Sequence, residues 1–372
     1  MTAPKPFTLA IPDAAIADLR ARLARTRYPD EPPLPPWSTG TSVAYLRGLL
    51  DYWGAGFDWR NWESKLNSFP QFTIPIRGID LHFIRVESRK PNAMPLLISH
   101  GWPGSVFEFH KILPLLTEHF TVVAPSLPGY TLSFRPGQQR FSITEIADLY
   151  AELMERLGYR RYGVQGGDWG GFVASVMGLR HAPRLTGIHL NLLALRRDPK
   201  MLENPSPSEE VYLHQLDNFL KEETGYQWIQ GTRPQTLAFA LTDSPAGLAA
   251  WIVEKFRAWT DNRGSPEDAL SRDEMLANIS LYWFTGAIGS SFWPYYARMH
   301  GAWPIPDGET VTAPTGYAEF PKEILSPPRS LAEKTYTDIR RWTVMPEGGH
   351  FAALEQPDAL AREVVAFFDG VR

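Results

Sequence analysis

The densest chemical signal in the chain is Gly166-Gly167-Asp168-Trp169-Gly170-Gly171. It follows a run that reads as a strand and precedes one with helical periodicity. A side chain displayed at the tip of a tight strand-to-helix turn needs unusual backbone angles and very small neighbours, and the glycines supply both. An aspartate capping a glycine-rich helix start is the plainer reading of the same residues. No G-x-G-x-x-G spacing is present, so a dinucleotide site has no support. An aspartate at the tip restricts the chemistry. Attack on an ester carbonyl would give an anhydride, a poor route to hydrolysis. At saturated carbon the same carboxylate displaces a leaving group and forms an alkyl ester that water can later cleave. Epoxides and alkyl halides fit; ordinary esters and amides do not. The nearest serine pattern, Leu97-Ile98-Ser99-His100-Gly101, lacks the first glycine and ends a different strand.

An ester of this kind needs a base to activate water. His350, in Glu347-Gly348-Gly349-His350-Phe351, follows a strand ending near Pro346. Parallel strands deliver it to the same sheet edge as Asp168, and it comes after the nucleophile in chain order. A surface loop histidine is the bland alternative. The base in turn needs a carboxylate to hold its tautomer and stabilise imidazolium. Asp338 starts the strand that His350 terminates, roughly 26 Å away at 3.3 Å per residue and at the wrong edge. Glu323 follows the preceding strand and emerges at the correct edge, so it is the choice; Glu319 is the nearest rival and Glu347 is too local. His100-Gly101-Trp102-Pro103-Gly104-Ser105 also lies between strand and helix. It is either a plain turn or the donor of one backbone N–H of an oxyanion hole. On the second reading the donors are Trp102 and, just after the nucleophile, Trp169.

The elements that must position these residues are short apolar runs alternating with helical patterns. Residues 72–76 and 81–86 read as a hairpin around Arg77-Gly78, and 95–99, 121–125, 161–166 and 185–193 as buried strands. Residues 105–118, 142–157 and 170–181 read as helices between them. Such alternation implies a mainly parallel sheet covered on both faces. After Leu195 the alternation stops, and 205–300 reads as helical and rich in aromatics. Strand signals return at 309–320 and 340–346, and a last helix covers 357–369. Upstream, 13–25 reads as an amphipathic helix with Asp13 as its cap, Pro29–Trp37 as a stiff stretch, and 43–68 as a helix followed by a Trp-studded loop. The expectation is an α/β-hydrolase fold: a mostly parallel central sheet flanked by helices, with an accessory segment at 1–70, core at 71–195 and 306–372, and an inserted helical lid at 196–305. Composition agrees with one large globular body. The chain has 372 residues, is 44% hydrophobic and 21% charged, and carries a net charge of −4 with no block of like sign. A nucleic-acid binder would show a basic face. No apolar run approaches the ~20 residues of a membrane span. With no cysteine there is no disulfide, thiolate metal site or cysteine nucleophile. With no H-E-x-x-H or P-loop, no metal or cofactor is expected.

HGWPGS (100–105), GGDWGG (166–171), TDSPAGLAAWIVEKF (242–256), LYWFTGAIGSS (281–291), FPKEIL (320–325) and GGHFAALEQP (348–357) together resemble the microsomal-type epoxide hydrolases, including the insect juvenile-hormone and several microbial enzymes. The resemblance covers nearly the whole chain. It implies Asp168 as nucleophile, His350 as base and Glu323 as its acid partner. It also implies two lid tyrosines that hydrogen-bond the epoxide oxygen. Tyr226 and Tyr295 occupy the similar positions, with Tyr296 as an alternative to the second; the residues alone do not single them out among 14 tyrosines. A phenol, with a pKa of about 10, can donate a proton to the opening alkoxide without being ionised at neutral pH. Membrane-bound members carry an N-terminal anchor whereas this chain starts at the accessory segment, which predicts a soluble, cytoplasmic protein. Trp228, Phe239, Trp251, Trp283, Phe284 and Trp293 suggest an apolar pocket for a lipophilic epoxide, although helical aromatics are more often core. A dehalogenase and a catalytically silent ligand-binding module are the competing readings. Homo-oligomerisation is left open.

Overall fold

The computed structural model describes residues 3–198, 202 and 204–371. Among them nine strands form one sheet: β1 (Lys5–Phe7), β2 (Gln71–Ile76), β3 (Ile79–Val86), β4 (Met94–Ser99), β5 (Phe120–Pro125), β6 (Tyr162–Gly166), β7 (Leu185–Leu190), β8 (Thr315–Glu319) and β9 (Ile339–Val344). Their order is β1-β2-β3-β5-β4-β6-β7-β8-β9. The first three pairings are antiparallel, and from β5 to β9 every pairing is parallel. The β2–β3 hairpin turns at Arg77 (φ 45°) and Gly78 (φ 81°), the two left-handed residues that suit the right-handed twist of a tight hairpin. All residues of β5, β6 and β7 are buried, as parallel strands covered on both faces require. This is the α/β-hydrolase arrangement.

Close packing of the last helix, Pro357–Asp369, explains the glycines within the strands. A Cβ on Gly163 would come within 2.6 Å of Phe368, and one on Gly187 or Gly316 within 2.9 Å or 2.6 Å of Phe367. The bare backbone of three adjacent strands is the floor on which two fully buried phenylalanines lie.

Between β7 and β8 the chain forms seven helices among the described residues: Pro207–Glu222, Gly225–Thr232, Pro234–Asp243, Pro245–Trp259, Arg272–Thr285, Ile288–Ser291 and Trp293–His300. The N-terminal segment ties the edge of the sheet to these helices. It adds β1 to β2, while the Tyr52 hydroxyl donates to Asp273 (2.7 Å) and the Trp53 indole to Ser280 (3.0 Å). No single helix among the described residues is long and apolar enough to cross a membrane.

Four local expectations are corrected. Residues 105–118 do not form one helix but a 3-10 turn at Val106–His110 and a short helix at Ile112–Leu116. Pro114 has no N–H to offer the carbonyl of His110, so one continuous ladder cannot run through the segment. The strand expected at 309–320 is confined to Thr315–Glu319, because Pro314 cannot donate to a ladder; Val311 makes only an isolated bridge to Tyr336. Asp13 is not a cap. Pro12 stands at that position, and Asp13 opens the helix and pairs with Arg60. The 43–68 stretch is two helices, Val43–Ala55 and Trp59–Asn67, the second capped by Asp58.

Truncating Phe367 to alanine would leave a void over the backbone of Gly187 and Gly316, which cannot collapse into it. A loss of about 3–5 kcal/mol of unfolding free energy is expected, read from the denaturant midpoint at unchanged slope.

Candidate active site

Asp168 is the first residue of helix Asp168–Arg180 and has φ +46°, a left-handed conformation rarely adopted by a non-glycine residue. The turn closes only because its neighbours have no side chains: a Cβ on Gly170 would sit 2.0 Å from the carbonyl oxygen of Ser99 on β4. On the open side, a Cβ on Gly101 would sit 2.1 Å from Asp168 Oδ1. The carboxylate is therefore pressed against the loop after β4, where the Trp102 backbone N–H donates to Oδ1 at 2.7 Å. The Trp169 N–H belongs to the first turn of the helix, where backbone donors have no intrahelical acceptor.

The other carboxylate oxygen, Oδ2, is 3.4 Å from His350 Nε2, and His350 Nδ1 is 2.5 Å from Glu323 Oε1. Both His350 and Glu323 are buried. Burial by itself would lower the His350 pKa, but the charges of Glu323 and Asp168 outweigh it and push the imidazole up to about 10. The rival acids lie elsewhere. Glu319 accepts from the Trp342 indole (3.0 Å), Glu347 is exposed, and Asp338 pairs with Arg340 at the start of β9. His100 is also beside the site, yet its Nε2 accepts from the Leu127 N–H, which leaves Nδ1–H to donate to the Gly101 carbonyl. Burial lowers its pKa to about 4, so it is a neutral structural group.

The helices between β7 and β8 grip both catalytic-edge loops. Tyr282 donates to the Gly104 carbonyl (2.7 Å), and Asn278 bonds to the Pro103 carbonyl and the Ser105 hydroxyl. The His350 N–H donates to the Trp259 carbonyl at 2.8 Å. The same helices bring Tyr226 and Tyr295, both buried, against Trp102. Tyr226 stacks on it (5.4 Å, 10°) and Tyr295 meets it edge-on (5.8 Å, 87°), with the two phenol rings 5.7 Å apart. Burial, with the Asp168 charge adding, raises the pKa of each phenol, so both remain proton donors at neutral pH. Tyr296 is not part of this group; it stacks on Trp293 and His300.

Residues 4–109 match the family model described as epoxide hydrolase N terminus, and 94–226 match the alpha/beta hydrolase fold. Epoxide hydrolase 1 of Oryctolagus cuniculus is 37% identical, over 98% of this chain and 88% of that protein. Juvenile hormone epoxide hydrolase 2 of Ctenocephalides felis is 35% identical, over 98% and 85%. The chain belongs to the epoxide hydrolase family. Among solved structures, epoxide hydrolase from Aspergillus niger superimposes with a TM-score of 0.88 at 34% identity, covering 100% of this chain and 97% of that one. Juvenile hormone epoxide hydrolase from Bombyx mori gives 0.89 at 32%, covering 100% and 95%.

This family member has a further carboxyl at the site that the sequence reading missed. Glu108, on the 3-10 turn, lines the same small pocket as Asp168, His350 and Trp102. Burial pushes its pKa up to about 8, so it is protonated at neutral pH. The available signal was its place one turn after HGWPGS. The broken helix aims Glu108 back over Gly104, where a Cβ would lie 1.7 Å from its Oε1. The six aromatics expected to wall the pocket do not line that cavity. Trp228 and Phe239 are 61% and 72% exposed, and Phe284 packs on Trp59. The rings packed on Trp102 are those of Trp259 and Phe292 with the two tyrosines, and Trp169 meets Tyr295 edge-on. Among the described residues no group of three His, Asp or Glu side chains could hold a metal ion.

Asp168→Asn removes one of the two charges that hold the His350 proton. In an NMR titration of the ring nitrogens, His350 of this variant should lose its proton well below pH 10; an unaltered titration would refute the coupling.

Proposed function

We propose that this protein hydrolyses an epoxide to a vicinal diol through an ester of Asp168. The observation that carries the reading is a carboxylate fixed between a backbone N–H and a buried imidazole, with two phenols across the aromatic wall. Oδ1 is occupied by the Trp102 N–H, so Oδ2 is the attacking oxygen. It displaces the epoxide oxygen from carbon while Tyr226 and Tyr295 hydrogen-bond that oxygen and supply a proton. Tyr296 has no part in the step.

Esterification removes the Asp168 charge. One of the two interactions that hold the His350 proton is then gone, so the imidazolium releases that proton, which replaces the one the phenol gave up, and the neutral imidazole can accept a proton from water. Water attacks the Asp168 carboxyl carbon, and the oxyanion forms on Oδ1, where the N–H groups of Trp102 and Trp169 receive it. Glu323 keeps Nδ1 protonated and stabilises the imidazolium. The tetrahedral intermediate collapses, the diol leaves with the old Oδ2, and Asp168 keeps the oxygen from water. The apolar rings around the carboxylate favour a lipophilic epoxide. An alkyl halide would need donors for a halide, whereas the site offers two phenols suited to an alkoxide.

A single turnover in oxygen-18 water should place label in the Asp168 carboxylate before any appears in diol; label passing directly into diol would refute the ester. Asp168→Ala should abolish turnover, and His350→Gln should trap the alkyl-enzyme. Tyr226→Phe combined with Tyr295→Phe should cost about 10²-fold or more in the alkylation step, followed by stopped-flow tryptophan fluorescence.

The two steps should also differ in pH dependence. Alkylation, which uses the Asp168–His350 pair as it stands, should stay level through neutral pH, because the pair keeps its proton until about pH 10. Ester hydrolysis needs neutral His350 and should rise with pH across that range. Parallel profiles for the two steps would contradict the assignment.

A further inference from the structure

The two phenols are not equivalent, and the difference lies behind them. The side-chain amide of Gln227 donates from Nε2 to the Tyr226 hydroxyl at 2.9 Å, and its Oε1 accepts from Arg298 Nη2 at 2.9 Å. We infer that Gln227 and Arg298 are positioning residues that fix the direction of the Tyr226 hydroxyl and make Tyr226, rather than Tyr295, the proton donor of the pair. The inference rests on the two-tyrosine reading of the site and deepens it.

A guanidinium has donors and no acceptor, so whatever faces Arg298 must be the amide oxygen of Gln227. That removes the ordinary ambiguity in amide orientation and leaves the NH₂ facing Tyr226. An amide nitrogen cannot accept, so the phenol oxygen must accept there and its own hydrogen points elsewhere. That hydrogen is left for another acceptor, and the phenol ring stacks on Trp102, whose backbone N–H holds the Asp168 carboxylate. Gln227 is buried, so water does not compete for the bond. The Tyr295 backbone N–H donates to Phe292, but its hydroxyl has no hydrogen-bond partner among the described residues, so it can accept or donate. The charges around Tyr226 act in the same sense. Arg197 from the stretch after β7, Arg298 from helix Trp293–His300 and Lys255 from helix Pro245–Trp259 (Nζ 4.6 Å from the Tyr226 ring centre) are all cations. Arg197 and Arg298 stabilise negative charge on Tyr226 as its proton leaves, against the Asp168 carboxylate; Arg298 acts on Tyr295 in the same sense, whereas Arg197 acts on Tyr226 alone of the two, and Lys255 is itself paired with Glu254 and Glu223. In the completed step the proton passes from the Tyr226 oxygen to the epoxide oxygen, and Gln227 and Arg298 hold the resulting phenolate until it is reprotonated.

Gln227→Glu tests this with little change of shape. The introduced carboxylate keeps Arg298 but can only accept, so it draws the Tyr226 proton away from substrate. The alkylation rate at neutral pH should fall about tenfold or more, the scale of one hydrogen bond reversed. It should recover as pH falls and the introduced carboxyl becomes a donor again, an acid limb absent from the wild type. In a Tyr226→Phe background the same substitution should cost nothing further. Gln227→Met, which keeps bulk and loses the donor, should slow alkylation several-fold without that limb, again with no added cost when Tyr226 is Phe. A pH-independent loss in Gln227→Glu, or losses that persist in the Tyr226→Phe background, would overturn the relay. If Tyr226→Phe alkylates at the wild-type rate, the two-tyrosine reading falls and takes the relay with it. If that variant is slow while both Gln227 variants are not, the relay alone falls.

Discussion

Asp168 occupies a backbone conformation that L-residues avoid, and its carboxylate is consequently held without help from its own flexibility. The strand β6 ends, the helix begins after a single intervening residue, and the space for this reversal exists only because positions 166, 167, 170 and 171 lack side chains. Strain at such a turn is of the order of 1–3 kcal/mol and persists only where the surroundings over-determine it. Here the surroundings are the most rigid part of the molecule: β4 and β6 pair directly from Leu96–Gly163 to Ser99–Gly166, and the carbonyl of Ser99 fills the place of the missing Cβ at Gly170. Every other component of the site is measured from that fixed carboxylate.

Around it the protein has set groups of opposite tendency in little water. His350 is drawn toward its charged form by two carboxylates, whereas Glu108, in the same cavity, is driven toward its neutral form by burial. Such separation of protonation states within one pocket lets an anion, a cation and a neutral acid coexist at neutral pH. Glu323 is the stronger of the two carboxylates in holding the imidazole proton, and Asp168 adds to it. A reaction that consumes the Asp168 charge also changes the basicity of the group next needed.

The helices inserted between β7 and β8 complete the site in two ways. They supply the phenols, and through Asn278, Tyr282 and the Trp259 carbonyl they hold the loops that carry Trp102 and His350. Cover and floor are therefore joined by hydrogen bonds at the atoms where position matters most, and the N-terminal segment braces the far side of the same helices through Tyr52 and Trp53.

Much of this could be read along the chain, for definite reasons. The glycine run around Asp168, the parallel-strand texture and the glycine-flanked His350 are local signals, because a tight turn and a buried strand each need particular residues at adjacent positions. Glu323 could be separated from Asp338 by strand direction alone, since opposite ends of one strand face opposite sheet edges. The tyrosines could not be picked out by residue type, because a phenol bearing on the site and a phenol in the core look alike until helices are packed. Glu108 was hidden by a helix that Pro114 interrupts, and residue type alone does not separate rings such as Trp228 and Phe239, which stand exposed, from Trp251, which shares a pocket with Tyr226. Which side chains share a cavity, and which protons they hold in each other's fields, is decided by distances between segments far apart in the chain. Only the packed tertiary structure sets those distances.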